Sequence, residues 1–191
     1  ALAAAASFSA SIDRQAVVRL YGGLAKPTEN VLPPTYPQYK KISKYPHDLA
    51  KAKALVQASG YAGMPVTVWG NSRETLQKPA AYLADVLNQI GFKATLKIID
   101  PSVYFTTIGN QRTKAQTGIA TWFQDYPHPL DWFDVLLNGN RITEEHNNNY
   151  SNANVARINT RIEALKKEPE TTDDVNAQWA QVDQMVSDNA L

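Results

Sequence analysis

Between Thr121 and Leu137 the chain reads TWFQDYPHPLDWFDVLL. Five aromatic residues, Trp122, Phe123, Tyr126, Trp132 and Phe133, fall within twelve positions, where the chain's 9% aromatic content predicts about one. Asp125 and Asp131 stand among them, separated by Pro127, His128 and Pro129. Two neighbouring carboxylates can serve as the acid and base of a glycosidase. The two prolines exclude a regular helix between them, so the spacing leaves their separation open. The simpler role for Asp131 is N-cap of a helix WFDVLLN, and for Trp132 and Phe133 the core packing of that helix. Asp125 is different. Flanked by Trp122, Phe123 and Tyr126, it is expected in low-dielectric surroundings where its charge needs a partner. That partner is an internal Lys or Arg, or a cation on a ligand. A pocket walled by rings around one carboxylate suits a primary ammonium, to which the rings add cation–π attraction.

Other chemistry finds little support. No GxSxG, HExxH, GxxxxGK or GxGxxG pattern occurs. His47, His128 and His146 lie far apart without ligand spacing, so no metal site is expected. The absence of cysteine removes disulfides, thiolate sites and cysteine nucleophiles. No catalytic residue and no cofactor is expected. Lys plus Arg total 19 against 18 Asp plus Glu, which gives no global bias toward nucleic acid. The densest basic cluster, Lys40, Lys41 and Lys44, reads as a solvated loop. No apolar run approaches the roughly 18 residues needed to span a bilayer.

The elements that must position the aromatic segment alternate along the chain. ALAAAASFSASID lacks the basic and apolar regions of a signal peptide and reads as a helix already under way at Ala1. VDQMVSDNAL stops inside a helical pattern, so both ends read as cut. Asp13 is placed to cap a helix through Tyr21, ended by Gly22-Gly23. Residues 24–47, rich in Pro and Tyr, read as an irregular surface excursion. Asp48 caps LAKAKALVQAS, closed by Gly60. PVTVWG reads as a buried strand. Leu76, Ala80, Leu83, Leu87 and Ile90 form one apolar helical stripe that Gly91 stops. In the next strand, FKATLKIID, residues Ala94, Leu96 and Ile98 alternate on one face. Pro101 opens a short helix through Ile108, and TGIATWF is a third strand leading into the aromatic segment. Two amphipathic helices follow, through Val155–Leu165 and Val175–Val186.

Strands alternating with helices imply an α/β fold, a mostly parallel sheet with helices on both faces. Ligands of such sheets sit beyond the carboxyl ends of the strands, which is where the aromatic segment begins in sequence.

Several runs occur here in one order: SIDRQAVVRLYGGLAKPTENVLPP, DLAKAKALVQASGY, PVTVWG, PAAYLADVLNQIGFKATLKIID, VYFTTIG, TWFQDYPHPLDWF and NNNYSNANVARIN. Over nearly the whole chain this order resembles the second lobe of the family 5 extracellular solute-binding proteins of ABC importers, the oligopeptide-, dipeptide- and nickel-binding group. The resemblance implies a three-layer lobe of the type II periplasmic-binding-protein-like fold. Residues 1–191 would be a single domain, the second, ligand-binding lobe, with the N-terminal lobe absent from this chain. It further implies a binding protein, not an enzyme, which captures a short peptide for uptake. Its partners would be that ligand, the N-terminal lobe and an ABC permease. The protein would be a monomer in the periplasm or outside the cell, with a lipid anchor on the missing N-terminus.

By the same resemblance, Asp125 pairs with the peptide's α-ammonium and Trp122 walls a side-chain pocket. The backbone around Thr121–Phe123 holds the peptide main chain by strand-like hydrogen bonds. Phe123 and Tyr126 complete the ligand-binding set. The chain departs from the family at Gln124, where a small residue is usual, at His128, often an acid, and at Ala153, usually proline. Gln124 would narrow the pocket. Arg112 could meet a ligand carboxylate but reads more simply as an exposed side chain, and Asn152 reads as a helix N-cap. Asn149-Tyr150-Ser151 is formally a glycosylation sequon, which would carry no meaning if the source is bacterial. Alternatives remain for the ligand (a nickel chelate, a sugar or an opine) and for the class, a periplasmic hydrolase using Asp125 and Asp131.

Overall fold

The structure, a computed structural model, describes residues 2–168 and 172–191, with the side chains of residues 2–4 excepted. The expectation for Ala1 lies outside the described residues. The chain folds as two compact units: Ala1–Pro27 with Tyr45–Thr121, and Thr28–Lys44 with Trp122–Asn189; Ala190 groups with the first and Leu191 with the second.

The first unit carries α1 (Leu2–Ser11), α2 (Arg14–Leu20), α3 (Leu49–Ser59), β1 (Pro65–Asn71), α4 (Glu74–Gln89), β2 (Lys93–Ile99), α5 (Tyr104–Ile108) and β3 (Thr117–Gly118). Asp13 caps α2 by accepting from the Gln15 amide, and Asp48 caps α3 by accepting from Lys51. Gly60, at φ 76°, closes α3 in the left-handed region that glycine enters without penalty. The strands form a parallel sheet in the order β2-β1-β3. Successive strand side chains point to opposite faces. Val66 and Val68 accordingly pack with Ala52 and Val56 of α3 and with Ala80, Leu83 and Leu87 of α4. Trp69 points the other way and packs with Tyr104 of α5. Helices therefore cover both faces, as the alternation of elements predicts.

Three details of this unit differ from the sequence reading. Leu96 is exposed, because β2 lies at the sheet edge. The helix expected from Pro101 starts at Tyr104, because the Asp100 carboxylate draws the Ser102 amide into a turn first. β3 spans two residues, not seven. On its N-terminal side the Gln116 side chain takes over the pairing, accepting from Thr67 N at 2.8 Å and donating to Pro65 O at 3.3 Å. On its C-terminal side one more ladder bond forms, Ile119 N to Trp69 O, and the Tyr104 hydroxyl then reaches the carbonyls of both Trp69 and Ile119.

The second unit carries α6 (Leu130–Leu137), α7 (Ala156–Leu165) and α8 (Asp173–Asp188). Its core is Phe133 stacked on Trp179 at 5.8 Å, surrounded by Ile158, Ile162, Leu165 and Val182. Leu32 and Tyr36 belong to the same core. The segment expected as a surface excursion is irregular, yet it is partly internal. Asp183 of α8 holds it: the buried carboxylate accepts from the Asn30 side chain and from the amides of Val31 and Leu32. Irregular backbone can be buried only when its polar groups are paired, and these bonds supply the pairing. Lys40, Lys41 and Lys44 are exposed, and Lys44 pairs with Asp188.

Asn152 is not the cap of α7. It sits at φ 51° inside a turn and accepts from the Asn147 side chain, while Val155 precedes the helix without a side-chain cap. Asn149 of the sequon is buried, donating to Ala153 O and accepting from Ala153 N and the Ser151 hydroxyl.

Candidate functional site

The aromatic segment owes its shape to α6. Pro129 precedes the helix, and Asp131 lies within its first turn instead of capping it. The reason is that the Asp131 carboxylate has other donors. Its Oδ2 accepts from the Trp122 indole N–H at 3.2 Å and from the Asp125 backbone N–H at 3.1 Å. Asp131 is 1% exposed, and its Oδ1 is buried with no hydrogen-bond partner among the described residues. The end of the helix is met by His128, whose Nδ1 accepts from Leu130 N at 3.1 Å. The imidazole lies edge-on to Trp179, and burial pushes its pKa below the ordinary value. A neutral imidazole with Nδ1 unprotonated satisfies both facts.

A second tether runs from α6 through the irregular segment. Trp132 Nε1 donates to the Tyr36 hydroxyl at 2.8 Å, and that hydroxyl donates to Gln124 Oε1 at 2.8 Å. Phe133 enters the core as expected; Trp132 is only partly buried and uses its N–H in this relay.

The expected ligand-binding residues fall into two groups. Trp122 is half-buried and anchored by Asp131. Phe123, at 84% exposure, stands out in solvent; Thr121 is exposed, and Tyr126 is exposed at 45%. Asp125 is exposed and makes no ion pair among the described residues. The low-dielectric surroundings expected for it are not found, because the rings beside it turn toward α6 or outward and do not enclose it. Among the described residues, the backbone groups of Thr121, Trp122 and Phe123 make no hydrogen bond. The Tyr126 hydroxyl is raised in pKa by burial first, then by the Asp131 and Asp134 carboxylates, so it remains a neutral donor. Asp134 itself is neutralised by Arg141 and Lys166.

Chemically, the segment offers an exposed carboxylate, unpaired main chain and exposed rings. Asp125 and Asp131 do not make an accessible pair of carboxylates, since Asp131 is withdrawn and already accepts from Asp125's own amide. Arg112 is exposed, as expected. No group of His, Asp and Glu with metal-holding geometry occurs among the described residues. Tyr36 escaped sequence reasoning altogether. Its one signal was the density of tyrosine in a proline-rich run, which says nothing about a partner at Gln124.

Residues 7–144 match the model of the bacterial extracellular solute-binding proteins, family 5 Middle. The chain belongs to this family. Among curated relatives it is 34% identical over 151 residues to the glutathione-binding protein GsiB of Salmonella paratyphi A, covering 69% of this chain and 30% of that protein. The Escherichia coli K12 GsiB is 31% identical over 93 residues, 47% of this chain and 18% of that one. The family 5 chain thus spans about a third or less of these relatives' length.

Solved structures agree on the fold. The ABC transporter-associated periplasmic binding protein DppA of Helicobacter pylori, in complex with peptide STSA, superposes with a TM-score of 0.87 at 21% identity, over 97% of this chain and 36% of that one. The Escherichia coli murein tripeptide binding protein MppA gives 0.81 at 20% identity, over 100% of this chain and 38% of that one. The fold is the α/β, parallel-sheet fold of the type II periplasmic binding proteins. The relatives named are binding proteins rather than enzymes.

Proposed function

We propose that residues 1–191 belong to the ligand-binding lobe of a two-lobe solute-binding protein that delivers short peptides to an ABC importer, outside the cell or in the periplasm. In this reading Asp125 takes the peptide's α-ammonium. The main chain of Thr121–Phe123 pairs with the peptide backbone, and Trp122, Phe123 and Tyr126 line the space for its side chains. A second lobe, outside residues 1–191, closes over the ligand, and the protein binds its ligand without transforming it. The observation that carries the reading is the unpaired run itself: main-chain groups of Thr121–Phe123 left without partners, two residues from a carboxylate without a counter-charge. Strand-like capture needs the first, and ammonium recognition needs the second. The peptide complex of the Helicobacter relative adds support by fold alone.

The test uses the full-length protein and calorimetry with trialanine and with N-acetyl-trialanine. Trialanine should bind and the acetylated form should not. Asp125→Asn should cost about 2–5 kcal/mol of affinity for trialanine, the usual loss when one member of a desolvated charge pair is removed. Because the Asp125 side chain is exposed and makes no hydrogen bond or ion pair among the described residues, the stability of the variant should shift by less than about 0.5 kcal/mol. Equal binding of both peptides, or an Asp125→Asn variant with unchanged affinity, would overturn the reading.

A further inference from the structure

The relay from Trp132 through Tyr36 to Gln124 settles which way the Gln124 amide faces. An indole nitrogen can only donate, so Tyr36 must accept from Trp132. The Tyr36 side chain is buried, and leaving its hydroxyl proton unpaired would be costly. The acceptor within reach is Gln124 Oε1, at 2.8 Å. Rotating the amide by half a turn would set an NH2 group against that proton and break the relay. Gln124 Oε1 is therefore committed to the interior, and its Nε2 carries two N–H groups that are left over. The residue is exposed, and Nε2 makes no hydrogen bond among the described residues.

Resting on the peptide reading above, we infer that Gln124 is a specificity-determining residue. It presents fixed N–H donors to a carbonyl or carboxylate oxygen of the bound peptide, one position from the carboxylate that takes its ammonium. Adjacent residues then read opposite polarities on one ligand. Asp125, an acceptor only, requires a donor and favours a cationic one; Gln124, held as a donor, requires an oxygen. A glutamine free to rotate would accept either polarity, so the selectivity comes from Tyr36 and not from the side chain alone. A small residue in place of Gln124 would leave room for the ligand but supply no donor.

Three variants of the full-length protein test this with trialanine and its C-terminal amide. Gln124→Met keeps the length and removes both the tether and the donor. Tyr36→Phe removes the tether and keeps the donor. Asp125→Asn reports on the peptide reading itself. Gln124→Met is expected to weaken trialanine binding about three- to tenfold, the effect of one lost hydrogen bond. Tyr36→Phe should weaken it by less than Gln124→Met does. A loss with Gln124→Met that shrinks on the C-terminal amide assigns the oxygen to the carboxylate; an equal loss assigns it to a main-chain carbonyl, and either supports the inference. Gln124→Met with wild-type affinity, or Tyr36→Phe weakened as much as Gln124→Met, reduces Gln124 to a tether and overturns it. If Asp125→Asn has lost binding at the same time, the peptide reading survives alone. A wild-type protein that takes up neither peptide overturns both.

Discussion

Asp131 Oδ2 accepts from two residues of the aromatic segment at once, the Trp122 indole at 3.2 Å and the Asp125 amide at 3.1 Å. One buried oxygen on α6 thereby sets the position of a ring and of the backbone that carries the exposed carboxylate. Asp131→Ala leaves both donors without their acceptor. The expected cost is about 1–3 kcal/mol of stability, measured by urea denaturation. Asp131→Asn retains one acceptor oxygen and should cost less than the alanine variant. An alanine variant as stable as wild type would show that the two bonds contribute nothing net.

His128 should make stability depend on pH. Burial lowers its folded-state pKa below the ordinary 6.5, so the unfolded chain binds the proton first. Its contribution is complete above the unfolded value and is lost as pH falls through the folded one. Protonation also removes the Nδ1 acceptor from Leu130 N and places a cation at the positive end of α6. Subtracting the stability-versus-pH curve of His128→Asn from that of wild type should therefore give a difference that declines as pH falls from 7 toward 5. A flat difference would remove His128 from this role.

Asp183 should act in the opposite direction. Burial raises its pKa above 3.8 despite the three donors that face it. The folded state therefore takes up a proton before the unfolded chain does. Its contribution is greatest below the unfolded pKa and diminishes as pH rises through the folded one. Asp183→Ala strands the Asn30, Val31 and Leu32 donors and is expected to cost about 3 kcal/mol or more at pH 7. Asp183→Asn removes the titration, so its curve should diverge from wild type only in the acid range. Parallel curves would contradict the raised pKa.

Gly118 should tolerate no side chain. A Cβ there would lie 2.5 Å from Trp69 O, a backbone atom of the central strand that cannot give way. Gly118→Ala is expected to destabilise by about 1–3 kcal/mol, the usual range for overpacking. Hydrogen exchange should show the loss as weaker protection at Ile119 N, which bonds to that same carbonyl. Wild-type protection at Ile119 would place the cost elsewhere.

Local pattern decided most elements of this chain. The stripe Leu76, Ala80, Leu83, Leu87 recurs as the buried face of α4, and Asp13 and Asp48 cap the helices they precede. These features were legible because helix periodicity and capping are interactions within a few residues of sequence. The family was legible as well, as a resemblance carried by the order of several runs, and the family model matches residues 7–144. What the sequence left open depends on partners far away along the chain. Asp131 reads as a cap until Trp122 and the Asp125 amide are brought to its carboxylate. Residues 24–47 read as a surface excursion until Asp183, some 150 positions on, pairs the amides of Val31 and Leu32 and lets Leu32 be buried. The direction of the Gln124 amide could be known only once Tyr36 stood between it and Trp132. A polar side chain takes its role from whichever donor or acceptor reaches it, and only tertiary packing selects that neighbour.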